Sequence, residues 1–315
     1  FSRLFAILSP PFPNLNGGPI QMGRLTGGDL IVANEHNQAG YFEDNEVVNL
    51  HNRIMSASGA DWTTPLSTKV GVLETDLERI KKYIKRRSKN SRLWCVKDPR
   101  LTRFLHEWKA VAPELKFVIV YRNPAASVFS LQRRQMQFLA RSGGTEAESL
   151  QFFQNSDLGA ILWRDHNEAL LKFAEQYPDD CIVIGHKALI QGANLVPLLS
   201  EKFSLNLPLN GSGSPTVDNN LVTKNVPVLN LKDPALMNDI KRIWSGLLNI
   251  DVVRPEAEDD TSIDNLLNLD PNGVNAELQL LGMQAMEANR DIQSRARLRE
   301  VSFKLAQKLK KPPFS

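Results

Sequence analysis

With 315 residues, 42% of them apolar, the chain is long enough to bury a full core without disulfide or metal staples. Thirty-eight Lys and Arg against thirty-five Asp and Glu leave a net charge of only +3, which excludes the broad basic excess of a protein held to nucleic acid through its phosphates. Any anion site therefore has to be local, and no apolar run nears the roughly 20 residues of a bilayer-spanning helix.

Phe5 to Leu8 reads as a short strand, closed by Ser9-Pro10-Pro11 and followed by the turn formers Asn14-Leu15-Asn16-Gly17-Gly18-Pro19. Pro19 suits the first turn of a helix that Gly23, Gly27 and Gly28 then weaken. After a polar loop over Asn34 to Gly40, a helix is predicted from Asp44 to Ser58, with Val47, Val48, Leu50, Ile54 and Met55 as its apolar face. Another follows from Leu73 to Arg87; its terminal Lys81, Lys82, Lys85, Arg86 and Arg87 suit the negative helix pole better than they mark a binding patch.

Leu93 to Val96 and Phe117 to Tyr121 are uninterrupted apolar runs with a helical stretch, Leu101 to Val111, between them. That strand–helix–strand order predicts a parallel sheet with right-handed crossovers. Helix resumes from Ala125 to Ala140, is interrupted at Gly143-Gly144 and continues from Glu146 to Ala174, before a strand at Cys181 to Ile184. Asn210 to Thr216 is a loop, Asp233 to Leu248 a helix, Asp251 to Asp270 an acidic loop, and Ala276 to Leu309 a long terminal helix. Cys95 and Cys181 fall inside predicted strands, which favours buried thiols and a cytoplasmic setting over a secreted disulfide framework. The first residues, Phe1 to Pro11, lack the layout of a signal peptide.

Two strand ends carry chemistry. Lys97-Asp98-Pro99-Arg100-Leu101 stands at the carboxyl end of the Leu93 strand, the edge where open α/β sheets bind ligands. Pro99 starts the next helix and delivers Lys97 and Asp98 to the rim, while Arg100 in the first helical turn opposes the helix dipole and calls for an anion or another partner. One strand later, Tyr121-Arg122-Asn123-Pro124 leads into a helix bearing Ser127 and Ser130, so that Arg122, a helix hydroxyl and the backbone N–H groups of the helix N-terminus can grip one phosphate. A structural ion pair between Asp98 and an arginine accounts for the first motif about as well.

The strand ending in Lys-Asp-Pro-Arg-Leu, followed by one ending in Tyr-Arg-Asn-Pro with Ser130 eight residues after Arg122, resembles the sulfotransferases that use phosphoadenosine phosphosulfate. Gly40-Tyr41-Phe42-Glu43-Asp44, Trp163-Arg164-Asp165-His166-Asn167 and Ile184-Gly185-His186-Lys187-Ala188-Leu189 agree with bacterial-type members. The resemblance implies a three-layer α/β fold, a parallel sheet with helices on both faces similar to P-loop NTPases, over residues 1–250. Residues 251–315 would form a loop and helical extension that packs on it, meets a partner or supports a homo-oligomer. It also implies that Arg122 and Ser130 bind the 3′-phosphate of the nucleotide, with Arg100 among the anion-binding cations.

The chain departs from the family at the first loop. A basic residue, Ser, Gly and Thr or Ser normally follow the first strand there; here Ser9 to Gly18 contains no cation. Asn16, Gly17 and Gly18 can still present N–H groups to the 5′ phosphosulfate, since glycine accepts the backbone angles such a nest needs. Lys97 would replace the missing charge, and Asp98, Glu43 and His51 are the candidate bases for the proton of a hydroxyl or amine on a small-molecule or glycan acceptor. His51 has a plainer reading, exposed on the polar side of its helix. His106, His166 and His186 share no metal-ligand spacing, so no metal is expected. The competing expectation is a non-catalytic protein of this fold that has lost the phosphosulfate cradle. A kinase is disfavoured because the chain has no Gly-x-x-x-x-Gly-Lys-Ser/Thr loop.

Overall fold

The computed structural model describes residues 43–90, 93–141, 147–205, 226–253 and 263–271, residues 30 and 31, the backbone of 3–8, and scattered helical positions between 280 and 302. The predicted helix at Pro19, the loops at 34–40 and 210–216 and the break at Gly143-Gly144 lie outside the described residues.

β1 (Arg3–Leu8), β2 (Leu93–Lys97), β3 (Lys116–Tyr121) and β4 (Cys181–Gly185) form one parallel sheet in the order β2-β1-β3-β4. In register, Ile7 of β1 stands beside Lys97, Leu8 beside Ile119, and Tyr121 beside Gly185. All four strands therefore end on one edge. β1 lies between β2 and β3, so its end at Leu8 stands between the Lys97 rim and the Arg122 rim, at the switch in strand order where such sheets bind ligands.

Side chains alternate across a strand, and here both sets are buried, which is why these strands read as continuous apolar runs. Phe117, Ile119 and Tyr121 of β3 join Trp94, Val96, Cys181 and Val183 in one cluster. That cluster is completed by α1 (Asn45–Ala57), α2 (Glu74–Asn90), α3 (Leu105–Val111), α6 (Leu158–Gln176) and α9 (Pro234–Asn249). Val118, Val120, Cys95, Ile182 and Ile184 point the other way, into a cluster with α7 (His186–Ile190) and α8 (Leu195–Phe203). The chain is thus a mixed α/β protein, rich in helix. Both cysteines are free and buried, and among the described residues no helix is long and apolar enough to cross a membrane.

The basic end of α2 is used locally. Arg86 pairs with Glu46, Lys81 with Glu78 at 3.3 Å, and Arg87 lies over the Trp94 ring.

Several expectations need correction. The helix foreseen over Glu146 to Ala174 is two, α5 (Ala147–Gln154) and α6, with Asn155 between them accepting the Asp157 N–H on its Oδ1 in a turn that breaks the helix. The helix after Pro99 opens as a 3₁₀ segment (Pro99–Phe104) and becomes α-helical only at Leu105.

The acidic stretch after Asp251 holds α10 (Ile263–Leu266) and β6 (Leu267–Leu269), which pairs in parallel with β5 (Leu229–Leu231). The two strands share the tripeptide Leu-Asn-Leu, and Asn268 donates to Asn230 at 3.1 Å. Three-residue strands are too short for a period of two to register.

Farther along, a Cβ at Gly282 would lie 2.5 Å from Phe153 Cε2 and 3.2 Å from Met136 Sδ, so the backbone at residue 282 rests closely on α5 and on α4 (Pro124–Arg141). Gly282→Val should lift it: limited proteolysis is expected to cut after residue 270 sooner in the variant, with the rest of the chain unaffected. An unchanged digestion pattern would contradict this packing.

Candidate functional site

Glu43 is placed by two local devices. Its carbonyl accepts from Ile31 N at 2.8 Å, and Asp44 after it caps α1, with Oδ1 accepting from Glu46 N at 2.9 Å and Oδ2 accepting from Tyr83 Oη at 2.8 Å. The Glu43 side chain, 6% exposed, turns to the end of β2. Its Oε1 accepts from Lys97 Nζ at 2.9 Å and its Oε2 lies 3.3 Å from an Arg100 guanidinium nitrogen. The same nitrogen donates to Asp98 Oδ1 at 2.8 Å, and the Arg100 backbone N–H reaches that oxygen at 3.0 Å. Asp98 is both the N-cap of the 3₁₀ segment and the inner carboxylate of the cluster.

Asp98 Oδ2 is 2.7 Å from His51 Nδ1, and both side chains are fully buried. Trp108 Nε1 lies 3.0 Å from His51 Nε2. An indole N–H only donates, so Nε2 accepts and the ring proton sits on Nδ1, donating to Asp98. The imidazole stacks on Phe104 with ring centroids 4.7 Å apart.

Five sequence candidates, Glu43, Lys97, Asp98, Arg100 and His51, therefore form one connected network. The exposed reading of His51 is overturned: α1 buries Val47, His51 and Ile54 on one face. That spacing was visible in the sequence, and the polar type of the residue hid it.

The partner Arg100 calls for is internal, Asp98 together with Glu43, so the plain ion-pair reading of this motif is realised. One donor is left over: among the described residues Arg100 Nε is buried with no hydrogen-bond partner.

Arg122 follows β3 and is 8% exposed. Its carbonyl accepts from Trp163 Nε1 of α6 at 3.1 Å. His186 begins α7 at the neighbouring strand end; burial and then the nearby Arg122 guanidinium push its imidazole down to about 3, so it is neutral at physiological pH. Ser130 is half-buried in the second turn of α4, and Ser127, one turn earlier, has its Oγ buried without a partner among the described residues.

The backbone N–H groups at the start of α4 are less available than the sequence suggested. Asn123 takes Ala126 N on its Oδ1 at 3.1 Å and Ser127 N on its carbonyl at 2.9 Å. An anion here would be held mainly by side chains.

The sequence did not reveal Asp251. Its Oδ2 accepts from Tyr121 Oη at 2.6 Å and from Gly185 N at 2.9 Å, and its Oδ1 from Val253 N at 2.8 Å. It thereby braces the ends of β3 and β4 beside Arg122 and His186. Burial raises its carboxyl against the opposing effect of these hydrogen bonds. A lone acid between Ile250 and Val252 was the only signal.

Asn16, Gly17 and Gly18 lie outside the described residues. The strand that leads toward them ends between the two charged rims.

The family model described as "Sulfotransferase family" matches residues 36–193, just over half of the chain. That span contains every candidate above except Asn16, Gly17, Gly18 and Asp251. Among solved structures, a "Sulfotransferase Domain from the Curacin Biosynthetic Pathway" is similar with a TM-score of 0.43 and 16% sequence identity, covering 78% of this chain and 97% of that one. No curated protein matches the chain.

Proposed function

The chain belongs to the sulfotransferase family, and from that premise we propose that it moves a sulfuryl group from phosphoadenosine phosphosulfate to a hydroxyl or amine acceptor. The observation that carries the reading is the gathering of Lys97, Glu43 and Arg100 at the same sheet edge that presents Arg122 and where β1 ends.

The donor set suits a nucleotide with anionic groups at both its 3′ and its 5′ ends. Arg122 and Ser130 would hold the 3′-phosphate, with the orphaned Ser127 Oγ one turn away, and Asn16, Gly17 and Gly18 would face the 5′ end. Arg100, with its spare Nε–H, is the additional cation. The scaffold is read as the three-layer form of the family, helices lying over both faces of the β2-β1-β3-β4 sheet.

Sulfuryl transfer depends on in-line placement and on neutralising charge on the moving group and the bridging oxygen. The bond between sulfur and the phosphate oxygen breaks, and one forms between sulfur and the acceptor oxygen or nitrogen. The acceptor proton passes to a carboxylate, and phosphoadenosine phosphate leaves. Lys97, at the rim and partly exposed, supplies the charge for the sulfuryl oxygens. Glu43, which shares the rim with Lys97, takes the proton on the oxygen that the Lys97 ammonium gives up as it turns to the sulfuryl group, whereas Asp98 and His51 show no exposed surface and are occupied with one another.

Titration calorimetry with phosphoadenosine phosphate tests the reading. A charge-assisted phosphate contact is worth about 1.5–3 kcal/mol, so Arg122→Ala should weaken binding about ten- to a hundredfold. No binding to the wild type would defeat the proposal. The absence of a cation between Ser9 and Gly23 favours one second reading, a nucleotide-binding member that performs no transfer; it predicts binding that is lost in Arg122→Ala, with no turnover on any acceptor.

A further inference from the structure

We propose that His51 and Trp108 are positioning residues of the transfer site: Trp108 fixes the tautomer of His51, His51 fixes Asp98, and Asp98 holds Arg100 against Glu43. The inference rests on the transfer reading above and reassigns His51, which as a base would need a free ring nitrogen.

The geometry is one chain of hydrogen bonds whose donors converge on Asp98, from the core side through Trp108 and His51 and from the rim side through Arg100. Trp108 Nε1–H donates to His51 Nε2 at 3.0 Å, His51 Nδ1–H donates to Asp98 Oδ2 at 2.7 Å, and Asp98 Oδ1 receives the Arg100 guanidinium at 2.8 Å. Arg100 then bridges to Glu43, whose other oxygen meets Lys97. Trp108, His51 and Asp98 show no exposed surface, and solvent therefore has no part in the line.

Direction is set on both sides of the imidazole. A buried imidazole can normally carry its proton on either nitrogen, and the alternative tautomer would turn Nδ1 into an acceptor facing a carboxylate. The carboxylate and the indole together forbid that, because Asp98 Oδ2 only accepts and Nε2 must accept from the indole. The carboxylate of Asp98 is left with one arrangement, Oδ2 toward His51 and Oδ1 toward Arg100.

Stability alone does not call for this arrangement. Polar side chains taken fully out of water lose their hydration, and a well-packed apolar set of the same volume often holds a core as well or better. What the polar line adds is orientation of the one guanidinium that touches Glu43. A carboxylate displaced by about 1 Å from the acceptor's proton can lower turnover on the order of a hundredfold.

The test uses the full chain labelled with ¹⁵N, and the variants Trp108→Phe, His51→Leu and the double change His51→Asn with Trp108→Phe. Long-range ¹H–¹⁵N spectra should show His51 protonated on Nδ1 and unprotonated on Nε2, and the Arg100 Nε–H resonance should move in Trp108→Phe. In steady-state assays, Trp108→Phe and His51→Leu should lower kcat about ten- to a hundredfold, with phosphoadenosine phosphate binding within about twofold of wild type. Asparagine keeps a donor toward Asp98, and the phenylalanine removes the indole N–H that would otherwise lose its acceptor, so the double variant should recover most of kcat.

A His51 proton on Nε2, an Arg100 resonance unmoved in Trp108→Phe, or a double variant no better than His51→Leu would each overturn the proposal. If the wild type neither binds nucleotide nor turns over, the transfer reading fails by itself. The orienting line is then decided by the His51 tautomer and the Arg100 resonance alone.

Discussion

Lys97→Ala should lower turnover about 10²- to 10³-fold, the loss typical of removing one preorganised group that stabilises developing charge, while leaving phosphoadenosine phosphate binding close to wild type. The two halves of this expectation come from opposite ends of the nucleotide. Lys97 ends β2 and Arg122 follows β3, with β1 between them in the sheet. A ligand held by Arg122 at its 3′-phosphate and reaching toward Lys97 places only its sulfuryl end at the ammonium. The product nucleotide lacks that group, so its affinity should not register the loss.

The loop after β1 makes the prediction sharper. Without a cation between Ser9 and Gly23, Lys97 is the candidate to neutralise the transferring group, and among the described residues the further cation at this rim, Arg100, is not free to mask its removal. Arg100 is committed to Asp98 and Glu43. Parallel measurement of kcat and calorimetric affinity decides the matter. An unchanged kcat would place the neutralising charge elsewhere, and a parallel fall in product binding would make Lys97 a nucleotide anchor.

The parts of this site that were legible in sequence are those fixed by local rules. Lys97, Asp98, Pro99 and Arg100 are legible because a proline that cannot continue a strand but can start a helix marks the boundary to the residue, and Asp98 caps the 3₁₀ turn that Pro99 opens. The strands on either side are legible because burial on both faces leaves no polar interruption from Phe117 to Val120. The links from Glu43 to Lys97 and from His51 to Asp98 are tertiary, over separations of 54 and 47 residues, and no periodicity encodes them.

His51 shows how a correct signal can be read wrongly. Four residues after Val47 and three before Ile54, it occupies the apolar stripe of α1, and only the expectation that histidine seeks water moved it outward. β5 and β6 had no signal of that kind: Leu-Asn-Leu occurs in loops as readily as in strands, and its meaning comes from a partner 38 residues away.

Asp98→Asn is expected to destabilise the fold by about 3–5 kcal/mol, the cost of breaking a buried charged pair, even though the side chains are nearly the same size. The carboxylate accepts from three donors, His51 Nδ1 on Oδ2 and the Arg100 backbone and guanidinium N–H groups on Oδ1. Asparagine offers one oxygen and one NH₂. If the oxygen stays toward Arg100, the NH₂ meets the His51 N–H, and His51 cannot turn its proton to the other nitrogen because Trp108 donates there. If the amide flips, the NH₂ meets two donors of Arg100.

The dependence on pH separates this cost from simple loss of packing. Burial alone would raise the Asp98 carboxyl, but the His51 hydrogen bond and then Arg100 outweigh it and hold the group below its ordinary value. With the folded value below an unfolded value of about 3.9, the stabilisation is complete above that pH and is lost as pH falls through the folded value. Thermal melts from pH 7 down to 2.5 should show a steeper acid loss in the wild type than in Asp98→Asn, with the two curves converging at the acid end. Parallel curves separated by a constant gap would mean that Asp98 does not carry its charge in the fold, and the network around Arg100 and Glu43 would need another anchor.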